Sequence, residues 1–325
     1  MCIRDRPYTL LNTIRFISLL ANEVVLGPWQ VVLDIFHKCN TDCVHCWIHS
    51  PNARKHLTPQ FLSQRIDFST FKSIADDCLN MGVDDITLLA DGEPVLNPDF
   101  IFMLKYIKSK NPYVHILTFS NGLAVEKNMS ENIIKYGLDE IWFSVPAATS
   151  QTYVKVCPSK EKKDFYKIRN NISYLCRLKN AFGKMRRLSS QNRVKNVRFY
   201  KPYCIMAFVL HNLNYKEIVS MAQMAVECGC DEMRFQLIHL DDDNRYLKLN
   251  QNQIDFLNDK LCVVKDIASE NGVKLSSSLN FQLSHMYVPT GDWSRGYFLD
   301  KGCPLGFFFS IIKANGDVGL SLIHI

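Results

Sequence analysis

The sequence lacks long apolar runs, internal repeats and low-complexity tracts. It contains no stretch of about 18 apolar residues, so no transmembrane helix is predicted. The apolar residues between positions 10 and 26 are interrupted by Arg15, Asn22 and Glu23, and no signal-peptide pattern precedes them. Neither sign of charge predominates, because a formal net charge of +6 is small for 325 residues. A membrane protein and a strongly acidic or basic binding protein are therefore not expected.

Cysteine, in contrast, is abundant. The chain has 12 cysteines, and several of them, such as Cys78 and Cys176, lie in apolar stretches typical of helices. Hydrophobic residues make up 47% and charged residues 22%, which are ordinary globular values that exclude a disordered tail protein or a fibre. A chain of this length is too large to be a small disulfide-stapled scaffold, so we expect a cytoplasmic protein with reduced cysteines, a few of them metal ligands.

Short apolar runs alternate with helical patterns in the middle of the chain. Buried strands are predicted at 31–36, 86–90, 115–120, 141–145, 203–210 and 233–238. The clearest helix has an apolar stripe from Phe71 to Leu79, with Ser69 as the expected N-cap and Gly82 at the stop. Parallel strands joined by helical crossovers predict an α/β fold, a partial (β/α)6 barrel, whose chemistry lies at the C-terminal ends of the strands.

Other segments depart from this alternation. Residues 183–201 are basic and predict a solvated loop, which we prefer to a nucleic-acid contact. A helix-like stretch follows residue 250, and 302–319 predicts a hairpin that turns at Asn315 and Gly316.

The two ends of the chain are expected to be artefacts. The DNA sequence ATGTGTATAAGAGACAG can encode residues 1–6, and its reverse complement can encode residues 320–325. Inverted copies of one short DNA at both ends indicate a translated sequencing adapter, so the natural protein is expected to continue beyond Gly319. The expected divisions are 1–6 adapter, 7–27 lead-in, 28–245 partial barrel, 246–272 helical linker, 273–319 truncated C-terminal extension and 320–325 adapter.

The most informative segment follows the first predicted strand. Cys39, Cys43 and Cys46 fall at intervals of four and three residues, so their thiolates can converge on one metal centre. Zinc is one candidate, because His37, His45 or His49 could complete a Cys₃His site. Structural zinc sites usually pair two short ligand motifs, however, and no second Cys-x-x-Cys or His pair occurs at the usual distance. We therefore favour an iron–sulfur cube that keeps one iron open.

The pattern Cys-x-x-x-Cys-x-x-Cys after a first barrel strand resembles that of the radical S-adenosylmethionine (radical SAM) enzymes. Later segments carry the resemblance further, in the order in which the family has them. Ala90–Pro94 resembles the family's Gly-Gly-Glu-Pro motif, with Asp91 in place of the first glycine. Thr118–Gly122 resembles its Thr-Asn-Gly turn, and Ser144–Ala148 resembles its Ser-hydrophobic-Asp segment, with Pro146 in place of the acidic residue. The likeness covers roughly residues 28–240.

The resemblance implies a radical SAM enzyme with two cofactors, a [4Fe–4S] cluster and S-adenosylmethionine. Cys39, Cys43 and Cys46 are then the metal ligands, and Glu93 accepts hydrogen bonds from the methionine ammonium. The other implied cofactor-binding residues are His45, Gly92, Ser120, Asn121 and Ser144. Reductive cleavage of S-adenosylmethionine would give a 5′-deoxyadenosyl radical that abstracts hydrogen from a substrate. No catalytic acid or base is assigned.

The segment after Gly302 resembles the start of the cysteine-rich SPASM extension. Cys303 is then a possible ligand of an auxiliary [4Fe–4S] cluster, which only a longer natural form would hold. The expected partners are a peptide, protein or small-molecule substrate and an external electron donor such as flavodoxin or ferredoxin. The alternative is a non-catalytic, zinc-stabilised binding module that contacts RNA through the basic loop at 183–201.

Overall fold

A computed structural model of the chain describes residues 10–189, 201–293 and 304–320. Six strands follow one another across a single sheet in chain order, and each pairs in parallel with the next. They are β1 (Gln30–Asp34), β2 (Asp85–Leu89), β3 (His115–Ser120), β4 (Glu140–Ser144), β5 (Tyr203–Leu210) and β6 (Glu232–Leu237). The predicted α/β fold with parallel strands is therefore confirmed.

Three further strands extend this sheet at its two edges. β7 (Lys274–Leu275) pairs in parallel with β6, and β8 (Phe309–Ile312) pairs in parallel with β1. β9 (Val318–Gly319) returns antiparallel to β8, so the predicted hairpin is confirmed over its described residues. Because β8 hydrogen-bonds to β1, the hairpin continues the barrel sheet. The division of the chain into domains stays a prediction.

Helices precede the first strand and alternate with the strands along the chain. They are α1 (Leu10–Ala21), α2 (Pro59–Leu62), α3 (Phe68–Asn80), α4 (Phe100–Lys110), α5 (Lys127–Lys135), α6 (Ser150–Val156), α7 (Lys162–Ser189), α8 (Ile218–Glu227), α9 (Gln251–Glu270) and α10 (Ser278–Ser284). Alternate strand residues such as Ile86, Leu88, Ile141 and Phe143 are fully buried in the core. Burial of these side chains holds the strands in register and places the strand ends at one edge. No helix in the described ranges is long and apolar enough to cross a membrane.

Two local expectations are wrong. α3 is capped by Asp67 and not by Ser69, because the Asp67 carboxylate accepts the backbone N–H groups of Ser69 and Thr70 at 2.9 and 3.0 Å. The basic segment expected as a loop from residue 183 is helical as far as Ser189, since α7 continues through lysine, arginine, methionine and leucine, which all favour helix. Cys303 and the segments 1–6, 190–200 and 321–325 lie outside the described residues.

Candidate active site

The loops that follow β1 and β2 are held together through their backbones. Gly92 donates its N–H to the carbonyl of Phe36 at 3.2 Å, and Glu93 donates to the carbonyl of Lys38 at 2.8 Å. A Cβ atom on Gly92 would lie 2.3 Å from the carbonyl oxygen of Lys38, a distance that real side chains do not reach. Only glycine fits here, so Gly92 serves the close packing of the two loops. Its predicted role in cofactor binding stays a prediction.

The three cysteines of the predicted metal motif lie in the loop after β1. The hydroxyl of Thr41 stands between two of them, 3.3 Å from the sulfur of Cys39 and 3.7 Å from that of Cys43. The sulfur of Cys46 accepts the backbone N–H of His49 at 3.2 Å, and the N–H of Cys46 donates to the carbonyl of Cys43 at 2.9 Å. Thr41 thus links Cys39 and Cys43, and the backbone hydrogen bond between Cys46 and Cys43 closes a turn at the end of the loop. This loop will be called the cysteine loop (39–46).

Burial sets the protonation of these thiols. It raises the pKa of Cys39 and raises that of Cys46 to about 12, because an isolated thiolate is poorly solvated there. The pKa of Cys43 is lowered instead, chiefly by a hydrogen bond with the thiol of Cys157, whose sulfur lies 3.4 Å away. The thiols of Cys39 and Cys46 would therefore need a nearby positive centre, such as a bound metal cluster, to lose their protons.

The spacing of the sulfurs argues against a single zinc ion. Four ligands at 2.3 Å around zinc lie within about 3.8 Å of one another. In the described ranges, the one set of three possible ligand atoms within 4.8 Å of one another is Asp34, His37 and Asp91, which contains no cysteine. Of the three proposed histidine ligands, His37 is held by Asp34. His49 contacts Arg54 through Nδ1, whereas its Nε2 and the Nδ1 of His45 have no partner among the described residues, so it is the spacing of the sulfurs that argues against zinc.

Glu93 is buried at the end of β2 beside the cysteine loop. Glu93 is only 2% exposed. One of its carboxylate oxygens accepts a hydrogen bond from the backbone N–H of Asn121 at 2.7 Å. The other oxygen, Oε1, is buried without a hydrogen-bond partner. Burial raises the pKa of Glu93 to about 7, although the N–H of Asn121, the hydroxyl of Ser120 and the backbone of Val95 favour the charged form. A buried carboxylate oxygen without a donor is costly, so this position suits a ligand with an amino group.

Asn121 connects the loop after β3 to both neighbouring loops. Its side-chain amide donates to Asn40 at 2.7 Å and lies 3.9 Å from the sulfur of Cys39, and its backbone binds Glu93. Ser120 is buried, and its hydroxyl accepts the N–H of Gly122 at 3.0 Å, which shapes the same turn. The structure thus brings the predicted residues Glu93, Ser120 and Asn121 to the edge of the cysteine loop.

The remaining predicted residues lie nearer to β4 and β5. The Nδ1 of His45 is buried without a partner, its ring centre is 5.4 Å from that of His211, and burial lowers the pKa of His45 to about 4. Burial lowers the pKa of His211 to about 2, and its Nε2 also lacks a partner. Ser144 is exposed at the end of β4, where it pairs with Ala207 of β5. No motif in the sequence points to His211, so this residue is not among the predicted ones.

A network of charged residues joins β1 to the loop after β2, and no sequence motif indicates it. Asp34 accepts the backbone N–H of Asp91 at 3.1 Å and a hydrogen bond from Nε2 of His37 at 2.7 Å, while Nδ1 of His37 contacts the carbonyl of Phe61 at 2.8 Å. Burial alone would lower the pKa of His37, but the contact with Asp34 outweighs it and raises the pKa. Lys313, just after β8, lies 3.4 Å from Asp91. Asp91, which stands in place of the motif's first glycine, therefore links β1, the loop after β2 and the hairpin.

Comparison with known proteins identifies the family. The family model of the Radical SAM superfamily matches residues 33–225, which is more than half of the chain. The chain belongs to the radical SAM superfamily. Among curated relatives, PqqA peptide cyclase of Xanthomonas campestris pv. campestris is 21% identical over 217 residues, and the match covers 67% of this chain. Fe-coproporphyrin III synthase of Methanosarcina barkeri is 24% identical over 115 residues, or 35% of the chain.

Solved structures of radical SAM proteins share the fold. Streptococcus suis SuiB bound to S-adenosylmethionine superposes with a TM-score of 0.64 at 14% identity, over 97% of this chain and 65% of that one. anSMEcpe with bound AdoMet and the Kp18Cys peptide gives a TM-score of 0.60 at 12% identity, over 92% of this chain and 75% of that one. The match with this chain spans about half of the Xanthomonas relative, namely 48% of its length.

Membership of the radical SAM superfamily gives the cofactors, a [4Fe–4S] cluster and S-adenosylmethionine. The residues present fit both groups. The cysteine loop offers three thiols whose sulfurs are too far apart for one zinc ion, and the unpartnered oxygen of Glu93 suits an amino group. The alternative interpretation as a zinc-stabilised, RNA-contacting module is not supported, because no cysteine takes part in a compact ligand set within the described part and most of the basic segment lies outside it.

Proposed function

We propose that this chain holds a [4Fe–4S] cluster through Cys39, Cys43 and Cys46, binds S-adenosylmethionine beside Glu93 and modifies a peptide substrate. The observation that carries the proposal is the buried, unpartnered oxygen of Glu93 next to three cysteines in the loop after β1. When bound, a reduced cluster of this kind supplies the electron that cleaves S-adenosylmethionine and releases the hydrogen-abstracting 5′-deoxyadenosyl radical.

The residues of the chain bind and orient these groups. Three thiolates leave one iron of a cube without a protein ligand, so the amino and carboxylate groups of the methionine end can occupy that position. Glu93 would accept a hydrogen bond from the amino group through Oε1, while Asn121 keeps the other oxygen in place. His45, Ser120 and Ser144 are proposed to contact other parts of S-adenosylmethionine, and Gly92 lets the two loops approach.

We propose a peptide as the substrate because of the relatives and solved structures to which this chain is similar. Curated relatives of this chain carry the name PqqA peptide cyclase, and SuiB and anSMEcpe have been solved with a precursor peptide or a peptide bound. Ser144 is exposed at the C-terminal end of β4, the edge of the sheet at which barrel enzymes take their substrates. We propose a one-electron protein, such as flavodoxin or ferredoxin, as the external electron donor.

Anaerobic reconstitution tests the proposal. The chain, supplied with iron and sulfide, should turn brown, bind about four irons and convert S-adenosylmethionine to 5′-deoxyadenosine and methionine when dithionite is added. Cys43→Ala should stay colourless, bind little iron and leave S-adenosylmethionine intact. Cys78→Ala, which changes a buried cysteine of α3, should behave like the unchanged chain in all three respects. A colourless protein that retains zinc and leaves S-adenosylmethionine intact would overturn the proposal.

The substrate class needs a separate experiment. Short peptides encoded next to the gene would be incubated with the reconstituted protein, dithionite and S-adenosylmethionine. We expect one of them to change mass, in an amount that depends on both reductant and cofactor. Turnover of a small molecule with no change in any peptide would contradict the peptide proposal and leave the cofactor assignment intact.

A further inference from the structure

The end of α6 and the turn that follows it contact the cysteine loop at three points. The N–H of Val44 donates to the carbonyl of Val156 at 2.9 Å. The carboxylate of Asp42 accepts the backbone N–H of Ser159 at 3.0 and 3.1 Å and its hydroxyl at 2.8 Å. Between these contacts, the sulfurs of Cys43 and Cys157 lie 3.4 Å apart. The segment 156–159 will be called the α6 turn. It contacts the loop next to Cys43.

The position of Cys157 is unusual for a cysteine that only fills space. Its side chain is fully buried, at 0% exposure, and its sulfur points at the sulfur of a proposed cluster ligand. The backbone N–H of Cys157 donates to the carbonyl of Tyr153 at 2.8 Å, so the last turn of α6 fixes the residue. The contacts between Asp42 and Ser159 and the hydrogen bond between Val44 and Val156 hold the segments on either side of the two sulfurs together.

The chemistry of the two sulfurs decides which one donates. A cysteine bound to iron is a thiolate, which carries no proton and can only accept a hydrogen bond. Cys157 has no metal centre of its own, so it keeps its thiol proton and can donate. With a cluster bound, the S–H···S hydrogen bond at this 3.4 Å contact would therefore run from Cys157 to the sulfur of Cys43.

We infer that Cys157 is a positioning residue for the cluster, and that its thiol, by donating a hydrogen bond to the sulfur of Cys43, makes the cluster easier to reduce. The inference rests on the proposed function. Reduction adds negative charge, part of which resides on the ligand sulfurs, and a donor beside one of them stabilises the reduced state more than the oxidised state. Hydrogen bonds to the sulfurs are among the factors that set the potentials of iron–sulfur clusters.

A role for Cys157 as a fourth ligand does not fit the same geometry. Ligand sulfurs on different irons of a cube point away from one another along their Fe–S bonds, whereas these two sulfurs are in contact at 3.4 Å. The cysteine loop already provides three thiols, and a fourth would fill the iron position that S-adenosylmethionine needs.

The test compares variants that differ in their hydrogen-bonding capacity at position 157. Cys157→Ala removes the donor, Cys157→Ser keeps a donor in a smaller side chain, and Cys157→Val fills the volume without a donor. Cys78→Ala deletes the thiol of another buried cysteine, in α3, and serves as the control. Each protein is reconstituted anaerobically, its iron is measured, and the reduced cluster is quantified by electron paramagnetic resonance at a series of fixed potentials.

At the wild-type midpoint potential, we expect the ratio of reduced to oxidised cluster to fall roughly three- to tenfold in Cys157→Ala and Cys157→Val. Cys157→Ser and Cys78→Ala should keep the wild-type ratio to within about twofold, and all four variants should retain about four irons. If Cys157→Ala is unfolded, Cys157→Val provides the same comparison with Cys157→Ser.

Three results would overturn the inference. Unchanged ratios in the alanine and valine variants would show that the contact has no effect on reduction. Equal decreases in the serine, alanine and valine variants would assign the effect to packing. Loss of iron in Cys157→Ala, as expected for Cys43→Ala, would make Cys157 a ligand. A wild-type protein that binds no cluster would instead overturn the proposed function, so the two failures are distinct.

Discussion

At the scale of single residues, Glu93 has the least ordinary environment in the site. It is a carboxylate without a charged partner, almost completely buried, with one oxygen on the backbone of Asn121 and the other without a donor. In the ligand-free protein this arrangement is unfavourable, because the charged form is removed from water with only part of its hydration replaced. A bound amino group would reverse that cost, which supports the proposed contact between Glu93 and S-adenosylmethionine.

The raised pKa of Glu93 leads to a pH-dependent stability. Its value is 4.5 in an unfolded chain and about 7 in the fold, so between these pH values the folded state holds a proton that the unfolded state releases. The stability contribution of this residue is therefore complete below about pH 4.5 and is lost as the pH rises through about 7. Glu93→Gln removes the titration. We expect the unfolding free energy of the variant, relative to wild type, to rise by about 2–3 kcal/mol from pH 5 to pH 8.

Urea unfolding of the two cofactor-free proteins at several pH values measures this difference. Glu270→Gln, at an exposed glutamate at the end of α9, is the control and should show no such trend. The same Glu93→Gln protein should still bind iron but should bind S-adenosylmethionine about ten- to a hundredfold more weakly, as expected from the loss of a charge-assisted hydrogen bond. A difference that is constant with pH would place Glu93 in a more solvated environment than the structure shows.

The three thiols of the cysteine loop make a second prediction at this scale. Burial raises the pKa of Cys39 and Cys46, so their thiolates would depend on the positive charge of the proposed metal centre. We expect Cys39→Ala and Cys46→Ala each to lose most of the approximately four irons, because two thiolates do not hold a cube. Iron and sulfide analysis after reconstitution measures this, with Cys78→Ala as the control. A variant with full iron content would remove that cysteine from the site.

At the scale of elements, the site depends on two loops that touch through their backbones. Gly92 allows this contact, because a Cβ atom there would lie 2.3 Å from the carbonyl oxygen of Lys38, which also accepts the N–H of Glu93. Gly92→Ala must push the loop that carries Cys39 away from β2. We expect a loss of about 2–3 kcal/mol in unfolding free energy and reduced iron retention.

Gly306→Ala is the matched control for this substitution. A Cβ atom on Gly306 would meet nothing closer than 3.8 Å, so its stability should change by less than about 0.5 kcal/mol. Urea unfolding and iron analysis of both variants give the comparison. If the two glycines tolerate alanine equally well, the loops after β1 and β2 do not pack as described.

Elements with a strong local pattern could be predicted from the sequence, whereas contacts between distant segments could not. The predicted bounds of β3 and β5 agree with the structure, because short apolar runs that contain β-branched and aromatic residues mark them in the chain itself. The N-cap of α3 was misplaced by two residues, since Asp67 and Ser69 are both good caps. The contact between Cys43 and Cys157 joins residues 114 positions apart, and no local signal indicates it.

At the scale of the whole molecule, the C-terminal hairpin completes the sheet around the site. β8 pairs in parallel with β1, the strand that leads into the cysteine loop, and Lys313 then reaches Asp91 in the loop after β2. Without β8, β1 would be an edge strand with unpaired backbone groups. The expectation of a hairpin was correct, but its partner depends on which distant strand has a free edge, and only the folded sheet decides this.

The position of Ile311 provides the test of this arrangement. Its side chain is 1% exposed, and the residue is in register with Val32 of β1, so Ile311→Asp would bury an unpaired carboxylate at the junction. We expect a loss of about 3–5 kcal/mol, with concentration-dependent aggregation through the uncovered edge of β1. Val318→Asp, on the exposed strand β9, should change the unfolding free energy by less than about 0.5 kcal/mol. Urea unfolding and light scattering distinguish the two variants. Equal midpoints and no aggregation would mean that the hairpin folds apart from the barrel and does not support the cysteine loop.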